Sequence, residues 1–271
     1  MPIRRPSLEN LTVRTDEASI KSIFRYPVKG LSAESLAETA LAVGGTVPAD
    51  RLYAIENGPS GFDPAVPAYL PKQRFLMLMR NERLASIEAS FEEATHTLTL
   101  REGGRVAGRG DLRTAAGRAA IEDFFSGFCA GQLRGAPRVL HAPGHSFSDV
   151  AKKVVSILNL ASVSAIETAV GAPVDPLRFR ANLHVEGWPP WHEFDLLGRV
   201  LAVGPEVRLK VVKRIGRCAA TEVEPGTGIR DLPIPWTLMR NLGHADCGVY
   251  AEVASAGRIA TGDRIELLAG G

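Results

Sequence analysis

One cysteine stands where a side chain could do chemistry. Cys218 lies in Val211-Val-Lys-Arg-Ile-Gly-Arg-Cys-Ala-Ala-Thr-Glu-Val-Glu-Pro-Gly-Thr-Gly228, where a strand-like run gives way to a turn. Lys213, Arg214 and Arg217 precede it. Nearby positive charge favours a thiolate over a thiol, and the thiolate is both the nucleophile and the soft metal ligand. A free cysteine is as often a small buried hydrophobe, so residue type and spacing leave the two readings level. Cys129, closing a Phe-rich stretch, and Cys247, after Asp246 in a turn, read as structural. A zinc site from Cys218, His244 and Cys247 has workable His-x-x-Cys spacing but lacks the usual fourth ligand.

Other motifs fail on inspection. Gly144-His-Ser-Phe-Ser148 stops one residue short of a nucleophile elbow. The stretch Gly103–Gly110 has the glycine spacing of a phosphate loop, but Arg109 follows where Lys is needed, and strand-like segments flank it. It reads as a hairpin loop. His141 and His145 are separated by Pro143-Gly144 and cannot share a helix face. No cysteine cluster, haem-attachment motif or dinucleotide fingerprint occurs, so a redox role would need a separate electron-donor protein.

The whole chain bounds these options. It has 271 residues, 45% of them apolar and 23% charged, the composition of a globular protein with one or two domains. Thirty-two Lys and Arg against 30 Asp and Glu leave a net charge of +2, which excludes a global field for nucleic acid. Any anion site must be local. Dispersed free cysteines predict a reducing, cytoplasmic setting, and no apolar run is long enough to span a membrane. Residues 1–17 lack an apolar core, and Arg4, Arg5 and Arg14 are balanced by Glu9, Asp16 and Glu17. They read as a flexible tail, not a targeting peptide.

The elements that must position Cys218 are mainly strands. Apolar residues alternate over 85–91, 207–211 and 249–253, with shorter cases at Thr97–Leu100 and Ile265–Leu267. Ile121, Phe124, Phe125 and Phe128 form a helical stripe in a helix starting near Thr114. A second helix is predicted over Leu160–Val170, between an Asn159 cap and Gly171, and a third over Pro235–Leu242. Regular β-α alternation is absent, so the expectation is an α+β fold with antiparallel, barrel-like sheets. The Pro/Gly-rich segment Gly135–Gly144 is the expected boundary, giving domains at 18–140 and 141–271.

At this point the sequence resembles the MOSC family, named for the C-terminal domain of molybdenum cofactor sulfurase. The resemblance rests on Tyr26-Pro-Val-Lys-Gly30 and Asp50-Arg-Leu-Tyr53 in the first part. The second part carries Phe179-Arg-Ala-Asn-Leu183, Trp191-His-Glu193, Arg217-Cys218 with Pro225-Gly-Thr-Gly228, Gly248-Val-Tyr250 and Gly257–Asp263. It covers nearly everything beyond the tail. Two-domain members include the mitochondrial amidoxime-reducing component and its bacterial relatives.

The resemblance implies a smaller N-terminal β-barrel domain ahead of the MOSC domain and a molybdopterin cofactor between them. It carries the metal-ligating and catalytic cysteine to Cys218. It carries cofactor contacts to Lys29, Arg51, Arg180, Asn182 and, beside the cysteine, Arg217. Arginine suits phosphate through its bidentate fork, and asparagine suits a pterin edge because it both donates and accepts. Pro71-Lys-Gln-Arg74 loosely matches a further family segment, which makes Arg74 another candidate contact. Gly30 stands where the reductases often carry Ser. The implied activity is an oxidoreductase that reduces N-hydroxylated small molecules with electrons from a separate donor protein. The alternative is a cofactor or sulfur carrier without its own turnover. No pyridoxal phosphate is expected, since the chain has no room for the large domain that holds it.

Overall fold

A computed structural model describes residues 18–268, so the expected tail over 1–17 lies outside the described residues. The first strands are β1 (Ala18–Arg25), β2 (Glu34–Leu36), β3 (Glu38–Leu41) and β4 (Ala54–Asn57). A meander of β5 (Glu88–Glu92), β6 (Thr97–Glu102) and β7 (Arg105–Asp111) leads to α1 (Ala115–Phe128). Next come β8 (Pro137–Leu140), β9 (Val155–Asn159), α2 (Leu160–Val170) and β10 (Leu183–Glu186). The hairpin β11 (Val200–Val203) and β12 (Val207–Gly216) precedes α3 (Ile234–Leu242). The chain closes with β13 (Asp246–Ser255), β14 (Gly257–Ala260) and β15 (Arg264–Leu267).

Seven strands form a closed barrel in the order β10, β9, β13, β12, β11, β15, β1, with β1 returning to pair with β10. This is an α+β fold built on a barrel. Closure follows from alternation: Ile20, Val185, Val203, Leu209, Val249 and Ile265 all point into one buried core. A second core lies under the meander, where Leu98 and Leu100 meet Ile121 and Phe125 of α1. Phe125 is fully buried, worth about 2–3 kcal/mol in apolar transfer.

β1 comes from the first part of the sequence but belongs to the barrel of the second, and β3 pairs with β14. The segment 135–144 is no open linker either, because β8 within it pairs with β4. A division at residue 140 is therefore not a division between sheets.

The caps behave as their residue types dictate. Thr114 accepts from Gly117 N at 3.0 Å, Asn159 accepts from Ala161 N at 3.1 Å, and Gly171 ends α2 at φ 73°. Two expected elements shift. The strand read over 85–91 starts only at Glu88, because Leu84 and Ile87 bury at a spacing of three, as a 3₁₀ turn over Glu82–Ser86 requires. The hairpin loop read over 103–110 shrinks to a turn at Gly103-Gly104, and β7 follows it. That strand is mostly exposed and carries no alternating apolar signal.

Candidate functional site

The stretches Tyr26–Gly30 and Asp50–Tyr53 are braided by their main chains. Lys29 N donates to Tyr53 O at 2.9 Å, Tyr53 N to Pro27 O at 3.0 Å and Arg51 N to Tyr26 O at 2.8 Å. Gly30 sits at φ 86°, and a Cβ there would stand 3.1 Å from the Leu76 carbonyl, so Ser would be strained at this position. The braid aims Lys29 and Arg51 toward Arg180, which follows the 3₁₀ turn Pro176–Phe179. Arg51 and Arg180 both adopt left-handed backbone, at φ 51° and 52°. Non-glycine residues hold that region at a cost of about 1–3 kcal/mol, and such strain clusters at functional sites.

Each guanidinium lies 4.3 Å from the ring centre of buried Tyr26. Arg51 is paired with Asp50 at 2.5 Å and donates to Arg180 O at 2.7 Å. Among the described residues Arg180 has no such carboxylate and its buried Nη2 has no hydrogen-bond partner; burial pushes its pKa down to about 10, which leaves it charged at neutral pH. Lys29 is buried, donating to Phe147 O at 2.9 Å and bonded to Asp149. Burial lowers its pKa, and Asp149 opposes that shift.

The thiol end is built where β12 runs out. Arg217, just past β12, does not face the cleft's interior as a free cation. Its Nε donates to Cys247 O at 2.7 Å, its Nη1 donates to Phe179 O at 2.8 Å, and Nη2 also meets Cys247 O. Gly248 makes room for this clamp: at φ 76°, a Cβ there would lie 2.5 Å from Ile157 O and 3.0 Å from Arg217 Nη2. Glu193, fully buried, ties the same corner by accepting from Asn159 at 3.0 Å, Ser162 at 2.9 Å and Gly248 N at 3.3 Å. Cys218 then opens the 3₁₀ turn Ala219–Glu222, half-buried, and its Sγ accepts from Lys72 Nζ at 3.2 Å.

All six residues singled out from the sequence, Lys29, Arg51, Arg180, Asn182, Arg217 and Cys218, line one cleft of about 580 Å³. They do not share one posture. Asn182 is turned into structure: its Oδ1 accepts from Ser156 N and Oγ at 3.1 and 2.8 Å, and its Nδ2 donates to Phe24 O at 3.1 Å. The expected free amide for a pterin edge is therefore already engaged. Arg74 is exposed and outside the cleft.

Lys72 of the same short stretch takes the place expected of Arg74, and it, not Lys213, Arg214 or Arg217, is the cation at the thiol. Burial works against its charge, while Asp149 and Cys218 hold its pKa above the ordinary lysine value. Asp149 reaches both Lys29 and Lys72, the latter at 3.9 Å. Partial enclosure disfavours its charged form, but Lys29, Lys72 and Arg51 hold it down at about 2. No periodicity marks Lys72, Asp149 or the ring of Tyr26 as site residues, because they come from loops and from a motif whose lysine draws the attention.

The zinc arrangement does not assemble. Cys247 is fully buried with Leu158, Val163 and Phe179, and burial pushes its thiol up to about 12. Among the described residues no group of three His, Cys, Asp or Glu gathers to hold a metal.

Among the described residues eight basic side chains line the cleft against three acidic ones, which fits an anionic ligand. The unpartnered Arg180 nitrogen and the half-buried thiol both belong to its lining. The residues present thus fit a group carrying both a phosphate and a soft metal.

The family described as MOSC domain matches residues 139–266, and that described as MOSC N-terminal beta barrel domain matches residues 17–130. A comparison with curated proteins finds no match. Among solved structures, the YuaD protein from Bacillus subtilis aligns over 93% of this chain and 95% of its own, at 15% identity and a TM-score of 0.43. YiiM from Geobacillus stearothermophilus aligns over 42% of this chain and 53% of its own, at 21% identity and a TM-score of 0.33. Neither likeness is close enough to carry function across. Among the described residues no helix is long and apolar enough to cross a membrane.

Proposed function

The chain belongs to the MOSC family in its two-domain arrangement, a family associated with the molybdenum cofactor, and from that premise we propose that it is a molybdenum-dependent oxidoreductase acting at Cys218. Its substrates in this reading are N-hydroxylated small molecules, and its electrons come from a separate donor protein. The observation that carries the reading is the buried, unpartnered Nη2 of Arg180 in the same cleft as the half-buried thiol of Cys218.

Arg180 and Lys29 would hold the cofactor's phosphate, with Arg51 fixed beside them by Asp50. Charge-assisted bonds to such a group are about twice as strong as neutral ones. Cys218 would be the protein's ligand to the metal. When bound, the cofactor would supply two-electron redox chemistry. The protein's share is orientation and charge. Arg217 fixes the backbone on which Cys218 stands, and Lys72 orients Sγ. Asn182, bonded to Ser156 and Phe24, keeps the barrel mouth rigid.

Metal analysis of the purified protein, with oxidation to fluorescent pterin products, tests the cofactor. Molybdenum and pterin at equal stoichiometry, lost together in Cys218→Ala and Arg180→Met, are expected. Multiple turnovers of a model hydroxylamine with an artificial dye donor, and none with a nicotinamide alone, are expected for the reductase. A carrier would release cofactor or sulfur and give no sustained turnover.

A further inference from the structure

The cleft's charge is distributed unevenly once each basic side chain is assigned its partner. Arg51 is neutralised by Asp50, Arg178 is paired bidentately with Asp231 at 2.7 Å, and Arg217 is spent on main-chain carbonyls. Arg214 lies over the Phe194 ring at 4.3 Å. That leaves Lys29, Lys72, Arg180 and Lys213, and of these Lys29 and Lys72 share one carboxylate, Asp149. Its Oδ1 bonds Lys29 and its Oδ2 lies 3.9 Å from Lys72. Lys29 is almost fully enclosed, yet the Asp149 side chain is 49% exposed. The cations are fixed, and their counter-ion sits at the rim with solvent to swing into.

We infer that Asp149 is a resident counter-ion that sets the anion selectivity of this nest, admitting phosphate-class dianions and turning away monoanions. The inference rests on the reading of the cleft as an anion site. A monoanion that displaces the Asp149 carboxylate exchanges one negative charge for another and gains nothing. A dianion replaces that charge and brings a second, which the unpartnered Arg180 nitrogen can receive. On leaving, the carboxylate gives up its contacts to Lys29 and Lys72, which the incoming anion takes over, and being half-exposed it recovers its hydration. Phosphate monoesters carry about −1.5 to −2 at neutral pH, which matches the need.

The test uses the full-length protein freed of ligand, titrated calorimetrically at pH 8 with inorganic phosphate, a dianion there, and with dimethyl phosphate, a monoanion of similar shape. Wild-type protein is expected to prefer phosphate by about tenfold or more. In Asp149→Asn, dimethyl phosphate should bind about tenfold tighter, so that the preference falls below about threefold. Asp149→Ser should behave in the same way, and the exposed control Asp195→Asn should match wild type. An unchanged preference in both Asp149 variants, or weaker binding of both anions, overturns the inference. The anion reading beneath it fails separately, if phosphate does not bind wild type or if Arg180→Met binds phosphate as wild type does.

Discussion

Arg51 donates from Nη2 to the main-chain carbonyl of Arg180 at 2.7 Å, across 129 positions of sequence. The contact joins two left-handed residues whose guanidiniums share one tyrosine ring. It also separates their tasks. Arg51, held by Asp50, is a brace. Arg180, with a nitrogen to spare, is the ligand-facing partner.

That division predicts opposite effects on binding and stability. Arg180→Met removes a buried charge that lacks a carboxylate partner, and replacing such a charge by an apolar side chain is often neutral or stabilising. The ligand-free variant should melt no lower than wild type by calorimetry while losing phosphate binding. A drop in Tm of several degrees would mean that Arg180 is a structural clamp.

Arg217→Lys and Asn182→Ala should show the reverse. Each strips partners from buried main-chain groups, at about 1–3 kcal/mol per unsatisfied group. Urea midpoints should fall for both. Phosphate affinity, measured where both variants remain folded, should change less than in Arg180→Met.

Thiol reactivity should sort the cysteines without reference to any enzyme activity. Cys129 is 2% exposed and Cys247 fully buried, and burial pushes their thiols up to about 11 and about 12. In folded, ligand-free protein a maleimide should label Cys218 alone, with the other two reacting only after unfolding. Mass-spectrometric detection of label on Cys129 or Cys247 at native pH would contradict their placement.

His184 predicts an acid-side loss of stability. Burial, with Arg217 adding to it, pushes its pKa down to about 4 from 6.5, so the folded state keeps this imidazole neutral. The unfolded chain takes up a proton below about pH 6.5 and the folded chain only near 4. Stability is therefore fully present above the unfolded value and falls as pH drops through that window, by on the order of 3 kcal/mol. Glu193, whose pKa burial raises, pulls the other way. Denaturant midpoints of His184→Leu and wild type should isolate the histidine: the variant's loss between pH 7 and 4.5 should be clearly smaller.

Legibility in the sequence followed the physics of each signal. α2 was readable end to end because Asn159 and Gly171 punctuate it and Val163 and Ile166 repeat at helical spacing. The barrel class was readable from alternation in β12 and β13. β7 was not, because an exposed strand has no apolar period. Arg180 and Cys218 stood out by type and motif. Lys72 and Asp149 did not, since loops that pack by tertiary contact leave no local pattern, and the only trace of Lys72 was a neighbouring Arg74 that points elsewhere. Asn182 was visible through the Phe179-Arg-Ala-Asn-Leu183 motif and Arg217 as the neighbour of Cys218, but type alone could not say that their hydrogen bonds were already spent.

The place of β1 in the barrel bears on how this chain comes off the ribosome. β1 is synthesised roughly 160 residues before β10 and still earlier than β15, the two strands whose edges it must bridge. At about 5–20 residues per second, the edge that meets β10 waits roughly 10–30 s unpaired, while β2, made directly after β1, can cover part of the other edge. The meander and α1 can condense in the interval, but the barrel cannot close until nearly the last strand is made. Newly made chains thus carry an open β edge until β10 follows, and an open edge of that kind is a template on which another chain can pair.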